Sequence, residues 1–190
     1  MGSGAHPPEI AWTPAIGART LVNRLGETEA VEVLVRLLTG LVPPHELMWA
    51  PYDRVLRDIG DGHAEGLMAD ESGRSLVYWP RVWAARALAY VGNTDVGPAL
   101  VAAADDDHWR VRMTAIQTIG RLGIEGTTAS LLEHLNDEHP RVRAAPILAS
   151  ERVGTAEAVG RLVGLSATGA EQSRAEQAAA TIIDRGTVAD

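Results

Sequence analysis

Asp105-Asp106-Asp107-His108-Trp109-Arg110-Val111-Arg112 returns 31 residues later as Asn136-Asp137-Glu138-His139-Pro140-Arg141-Val142-Arg143, with five of the eight positions identical. The same offset carries Leu100-Val101 to Leu131-Leu132 and to Leu162-Val163, Gly92 to Gly123 and Gly154, and Arg81 to Arg112 and Arg143. Four features in one frame define a repeat, and a period of this length marks stacked copies of one supersecondary unit. Each copy reads as helix, acidic turn, helix and Gly stop. In the clearest copy the first helix covers about Thr127 to Leu135, and the turn covers Asn136 to Pro140, whose Asn and Asp suit capping. The second helix covers about Arg141 to Val153, with Gly154 at the position after its end. Pro146 falls inside that helix, where the missing N–H is expected to kink or shorten it.

Weaker copies flank these. One pairs Thr28–Leu38 with Leu47–Ile59 through the Pro43-Pro44 turn, and another pairs Ala156–Leu165 with about Ser173–Ile183. The segment Ala15–Leu25, before Gly26, reads as an unpaired second helix. The sum is an all-α, right-handed solenoid of about five helical hairpins over residues 15–186, with a flexible leader at 1–14 and a short tail at 187–190. Terminal units are expected to be atypical, because one face of each meets water.

Composition narrows the function classes. The 190 residues carry a net charge of −8, no Cys, no Phe and no Lys, so all 17 basic residues are Arg. Without Cys there are no disulfides and no thiolate metal ligands. The charge opposes non-specific binding to nucleic acid or anionic lipid. No apolar run reaches the roughly 18 residues of a membrane span, and the start, MGSGAHPPEI, has no secretory pattern. A cytoplasmic location is the resulting expectation. Neither Gly-x-Ser-x-Gly, a phosphate loop nor a zinc-protease helix is present, and the expected cofactor and metal content is none.

The stretch Val111–Gly123, VRMTAIQTIGRLG, and its surroundings resemble HEAT repeats, in the short form of phycobilisome-lyase-type proteins. The resemblance covers about Pro80 to Gly154 and is loose elsewhere. It implies that the repeated Arg pairs with the Asp of its turn, Arg112 with Asp106 and Arg143 with Asp137. It also implies that the second helices line a concave face. A HEAT enzyme with two irons, deoxyhypusine hydroxylase, uses repeated His-Glu pairs, whereas this chain has one, His45-Glu46. His108 and His139 recur one repeat apart beside acids, yet stacked helices lie roughly 10 Å apart, too far for both to reach one metal at about 2 Å. They read as turn residues.

One stripe exceeds the needs of repeat packing. Trp79, Trp83, Arg86 and Tyr90 are spaced 4, 3 and 4 apart, so they share a helix face. Ala84, Ala87, Leu88 and Val91 already supply a second, apolar face. Carried forward by 31, the stripe becomes Arg110, Thr114, Gln117 and Arg121, then Arg141, Ala145, Leu148 and Arg152. The candidate binding residues are therefore Trp79, Trp83, Arg86, Tyr90, Arg110, Gln117, Arg121 and Arg152, since Trp, Tyr and Arg dominate binding hot spots. The expected function is a binding or scaffold module holding a protein or peptide in its groove, with a small anionic or aromatic ligand as the other occupant. No membrane partner is expected, and nucleic acid ranks low. The alternative is enzymatic: the resemblance extends to HEAT-like alkylpurine DNA glycosylases and to phycobilisome lyases. A glycosylase-like site would stack a base on Trp79 and Trp83, hold phosphates with Arg110, Arg121, Arg141 and Arg152, and use Asp53 for charge stabilisation. Asp53 also has a plainer role, as the i,i+4 partner of Arg57.

Overall fold

The computed structural model describes residues 12–47, 49–60, 78–165 and 169–188. These residues form ten α-helices and no strand: α1 (Pro14–Leu25), α2 (Glu27–Leu38), α3 (Tyr52–Ile59), α4 (Trp79–Val91), α5 (Gly97–Ala104), α6 (Trp109–Leu122), α7 (Thr128–Glu133), α8 (Pro140–Val153), α9 (Ala156–Val163) and α10 (Ala170–Val188). The helices α5/α6, α7/α8 and α9/α10 are successive hairpins, and the second helices pack on one another in the order α4, α6, α8, α10. This is the all-α solenoid expected from the 31-residue period. The sequence places second helices at 80–91, 111–122 and 142–153, within two residues of α4, α6 and α8. None of the described helices is long and apolar enough to cross a membrane.

The N-terminal part departs from the expected hairpin of 28–38 with 47–59. Instead α2 packs chiefly on α4, and α3 packs on α1 and α4. Burial explains the exchange. The face of α2 buries Ala30, Val33, Leu34, Leu37 and Leu38, wide enough to serve as outer partner to α4. The eight residues of α3 bury only Val55, Leu56 and Ile59, a narrow stripe. Within the stretch expected as a leader, Trp12 donates from Nε1 to the Asp58 carbonyl at 3.2 Å, and Thr13 caps α1 through the Ile16 N–H. Residues 1–11 of that leader lie outside the described residues. The helix α10 runs through 186 to Val188, so the expected tail begins later; 189–190 are likewise outside the description. Pro146 does not shorten α8, which continues to Val153.

Gly stops differ in their physics. Gly123 has φ +66°, the left-handed conformation that Gly adopts without a Cβ penalty, and its N–H bonds back to α6. Gly154 has φ −66° and needs no left-handed backbone; a Cβ there would lie 2.8 Å from Ile182 Cδ1. That glycine marks close packing between units rather than a helix-ending turn.

Trp83 belongs to the core. It is 5 % exposed and sits in the apolar cluster that runs from α1 to α8. The expectation of a spare, groove-facing ring rested on Thr114 and Ala145 occupying the equivalent positions in later units. Those two are also buried, at 8 % and 1 %. In α6 and α8 the small residues of this row lie on the floor between the inner helices. In α4 the neighbour is Gly60, after α3, where a Cβ would lie 2.7 Å from the Trp83 ring. The ring fills the volume that Gly60 leaves open.

Arginines tie the units together. Arg81 donates from Nη2 to Asp106 Oδ1 (3.1 Å) with its Nε in ion-pair contact with Oδ2 (2.7 Å), and Arg112 forks onto Asp137 with two hydrogen bonds (2.8 and 3.0 Å). Each Arg thus reaches the Asp of the following turn, 25 residues ahead. The pairing implied by the family resemblance, within one turn, is corrected accordingly. Within its own turn Arg112 meets main chain, donating from Nη1 to the carbonyls of Asp106 (3.0 Å) and Asp107 (3.1 Å). Arg143 repeats the main-chain half of the pattern, on the carbonyls of Asp137 and Glu138. The register then offers Thr168 where the next Asp would stand, so the fork ends in the sequence itself. The hydrogen bonds to Asp137, against the opposing effect of burial, raise the pKa of Arg112. Burial pushes the Asp137 carboxyl up, but Arg112 and the His139 N–H together bring it below the usual value.

Two stability differences follow from this packing. Trp83→Ala should cost about 3–5 kcal/mol, as large-to-small changes in cores do. A melting temperature close to wild type would return Trp83 to the surface. Arg112, 8 % exposed, leaves a buried carboxylate unpaired when removed, so Arg112→Ala should cost about 3 kcal/mol. Arg143→Ala loses only main-chain bonds and should cost about 1 kcal/mol. Equal denaturation midpoints for the two would contradict the forward pairing.

Candidate functional site

The inner helices leave an open groove of about 360 Å³ between α4, α6 and α8. Its side chains come in two rows at the 31-residue spacing, Arg86/Gln117/Leu148 and Tyr90/Arg121/Arg152. The floor is made of small residues, which lets the helices approach. A Cβ on Gly120 would lie 2.7 Å from Ala149 Cα, so only Gly fits between α6 and α8 at that point. Thr118 adds a bridge, donating from Oγ1 to the Ala85 carbonyl at 2.9 Å. The groove is shallow because its floor is helix backbone and Ala, not because side chains fill it.

The rim arginines are placed by the ends of the neighbouring helices. Arg121 donates from Nε to the Ala89 carbonyl (3.0 Å) near the end of α4, and Arg152 from Nη1 to the Arg121 carbonyl (3.4 Å) near the end of α6. Arg185 continues the series onto the carbonyls of Glu151 and Arg152 in α8. The last carbonyls of a helix lack intrahelical donors and carry the negative end of its dipole, so a cation there is favourable. The Arg121 guanidinium also lies 4.1 Å from the Tyr90 ring centroid, a cation–π contact. Tyr90 is 39 % and Leu148 47 % exposed. Arg86 is half-buried, donates to the Ile59 carbonyl (3.3 Å) and lies over the Trp12 ring.

Five of the residues singled out from sequence therefore meet in the groove: Arg86, Tyr90, Gln117, Arg121 and Arg152. Trp83 is core. Trp79 and Arg110 belong to a separate edge at the N-terminal ends of the second helices. There the Tyr78 ring stacks on His108 with centroids 3.4 Å apart, and Trp109 stacks on His139 at 3.8 Å, each pair within 7° of parallel. Arg110 lies 4.3 Å from the Trp109 centroid and 5.7 Å from that of Trp79. The stack was legible in principle: Tyr78 and Trp109 hold equivalent positions, and each precedes by 30 a His of the next turn. Leu148 was the missed groove residue, visible as the apolar member of the Arg86/Gln117 row.

The glycosylase-like constellation is not gathered in one place. Asp53 sits on α3 and does not line the groove, and the Trp83 face is buried. Among the described residues no cluster of His, Asp and Glu is arranged to hold a metal ion. His108 and His139 act as helix caps, each accepting through Nδ1 from the N–H two residues on, of Arg110 and Arg141. Asp106 and Asp137 in turn accept from the N–H groups of those two histidines.

Burial makes the His108 cap pH-sensitive. Burial, then the nearby Arg110 charge, lower its pKa below the ordinary value, with Arg81 and Arg112 acting the same way and Asp106 opposing them. A histidine lowered in the native state binds fewer protons folded than unfolded. Its contribution is present above the unfolded value, about 6.5, and is lost as pH falls through the folded value. Protonation at Nδ1 also removes the cap acceptor. Melting temperature should therefore fall as pH is taken from 7 to 5, and His108→Asn, which caps without titrating, should flatten that slope. An unchanged slope in the variant would show that His108 does not carry the effect.

Residues 78–149, which contain α4 to most of α8, match the family model for HEAT repeats. That match is to HEAT repeats as a class, not to their short phycobilisome-lyase form. No curated protein matches the chain. Helix order, repeat period and family match agree that residues 78–149 carry HEAT repeats.

Proposed function

We propose that this protein is a binding module whose groove between α4, α6 and α8 holds a segment of another protein. The observation that carries the reading is the pair of large side chains, Tyr90 and Leu148, left exposed in a groove whose floor needs neither. Apolar surface rimmed by polar groups marks a docking site more often than chance. HEAT arrays present surfaces of this kind along stacked helices, although a fold does not by itself fix a function. A small anion or flat aromatic group is the runner-up occupant, favoured by the Arg121–Tyr90 stack.

Site-specific photo-crosslinking tests the proposal. A benzophenone amino acid at Gln117 or Leu148 should give a discrete protein adduct in cells of the source organism. The same probe at Glu133, exposed on the first-helix layer at α7, should not. Adducts at Glu133 but none in the groove would sink the proposal. Absence of any protein adduct, with a small molecule co-purifying, would favour the runner-up.

A further inference from the structure

We infer that the groove is built for an acidic, extended protein segment, with partner Asp or Glu side chains at Arg121 and Arg152 and an apolar side chain against Leu148. The inference rests on the groove reading above and adds the chemistry of the occupant.

Charge distribution is the first observation. Three arginines, Arg86, Arg121 and Arg152, line the groove, and among the described residues no carboxylate does, although the chain as a whole carries −8. The acids lie elsewhere. Asp106 and Asp137 sit in the inter-helix turns and are used by Arg81 and Arg112. Those two arginines, like Arg24 with Asp58, have carboxylate partners. Arg121 and Arg152 are exposed, and neither lies within salt-bridge distance of a carboxylate among the described residues.

Placement is the second observation. Each of the two spends one N–H on a backbone carbonyl, Arg121 on Ala89 and Arg152 on Arg121. Those bonds hold the guanidinium groups in position before any ligand arrives. A guanidinium has five N–H donors, so donors remain for a carboxylate. Holding a long side chain in advance reduces the entropy lost when the partner binds.

Dimensions and composition select a peptide. Three inner helices packed roughly 8–10 Å apart span about 20 Å, the length of about six extended residues at about 3.3 Å each. Successive members of one row, Arg86, Gln117 and Leu148, change from cationic to apolar along that path. An occupant must therefore carry carboxylates and an apolar side chain on the same short strand. A nucleic acid offers flat base faces and a thymine methyl, suited to stacking on Tyr90, and no aliphatic side chain to lie against Leu148. Its continuous phosphates would also be opposed by the overall charge of −8.

Fluorescence anisotropy on the full chain tests the inference with a labelled peptide of about eight residues made of Glu, Leu and Ser. Its counterparts carry Gln or Lys in place of Glu. The Glu peptide should bind at least about ten-fold more tightly than the Gln peptide, and the advantage should shrink as salt is raised. Gln117 is exposed at the centre of the groove. Gln117→Glu should weaken the Glu peptide by about five-fold or more through like-charge repulsion, with the melting temperature unchanged. Arg121→Gln should weaken it similarly. Equal or tighter binding of the Gln or Lys peptide, abolished by Leu148→Asp, would overturn the acidic occupant and leave the groove reading standing. Peptide binding indifferent to Gln117→Glu, Arg121→Gln and Leu148→Asp would overturn both. Failure of the Glu peptide to bind, or its displacement by a single-stranded oligonucleotide of the same length at lower concentration, would overturn the acidic segment.

Discussion

The bidentate pairing of an arginine with the aspartate of the next turn is the constraint on which the stack of repeats depends. A solenoid has no sheet and no single central core, so each unit is held only by its neighbours. Apolar faces hold two helical layers together but tolerate sliding, because hydrophobic contact is non-directional. A fork such as Arg112 on Asp137 is directional: two parallel N–H to oxygen bonds specify both distance and angle. The same Asp receives the N–H of His139, which caps α8. One carboxylate thus sets the spacing between units, the shape of the turn and the start of the following helix. A Lys at 81 or 112 could not take the place of Arg, since an ammonium cannot reproduce the planar fork.

Lacing at the other end of the inner helices runs in the opposite sense. Arg81 and Arg112 reach forward, from the start of a second helix to the next turn. Arg121, Arg152 and Arg185 reach backward, from the end of a second helix to the final carbonyls of the preceding one. Both ends of α4 and of α6 are consequently tied to a neighbour, and the middle is free to be small. Gly120, Ala145 and Ala149 occupy that middle. Close approach of the helices there forms the floor of the groove, and the backward-reaching arginines form its rim. The groove is a by-product of how the stack is held, and its positive lining comes from side chains that already serve as helix caps.

The N-terminal edge has a different character. Tyr78, His108, Trp109 and His139 form alternating stacks with Arg110 laid over the rings. These aromatics satisfy one another, and their exposure is correspondingly partial. Aromatic residues that look surplus in a single helix are here spent on inter-unit contacts. Among the described residues Tyr90 and Leu148 have no such aromatic partners beyond the Arg121 stack on Tyr90, which is why the groove and not the edge is the candidate site.

Much of the architecture is legible in the sequence alone. The identity of Asp106/Asp137, His108/His139 and Arg112/Arg143 at one offset determines the repeat, and with it the positions of α4, α6 and α8. Five of the groove residues follow from helical spacing carried through that offset. Three things required the tertiary structure. The partner of Arg112 could not be read from the chain, because an Arg lies within reach of both its own turn and the next, and only the stacking distance chooses between Asp106 and Asp137. The roles of Trp83, Thr114 and Ala145 depend on what packs opposite, and Gly60, the residue that makes room for the Trp83 ring, lies outside the repeat frame. The pairing of α2 with α4 instead of α3 depends on the width of each buried face. Periodicity determines which residues are equivalent, whereas their surroundings differ wherever the array ends, because a terminal unit has a different neighbour on each side.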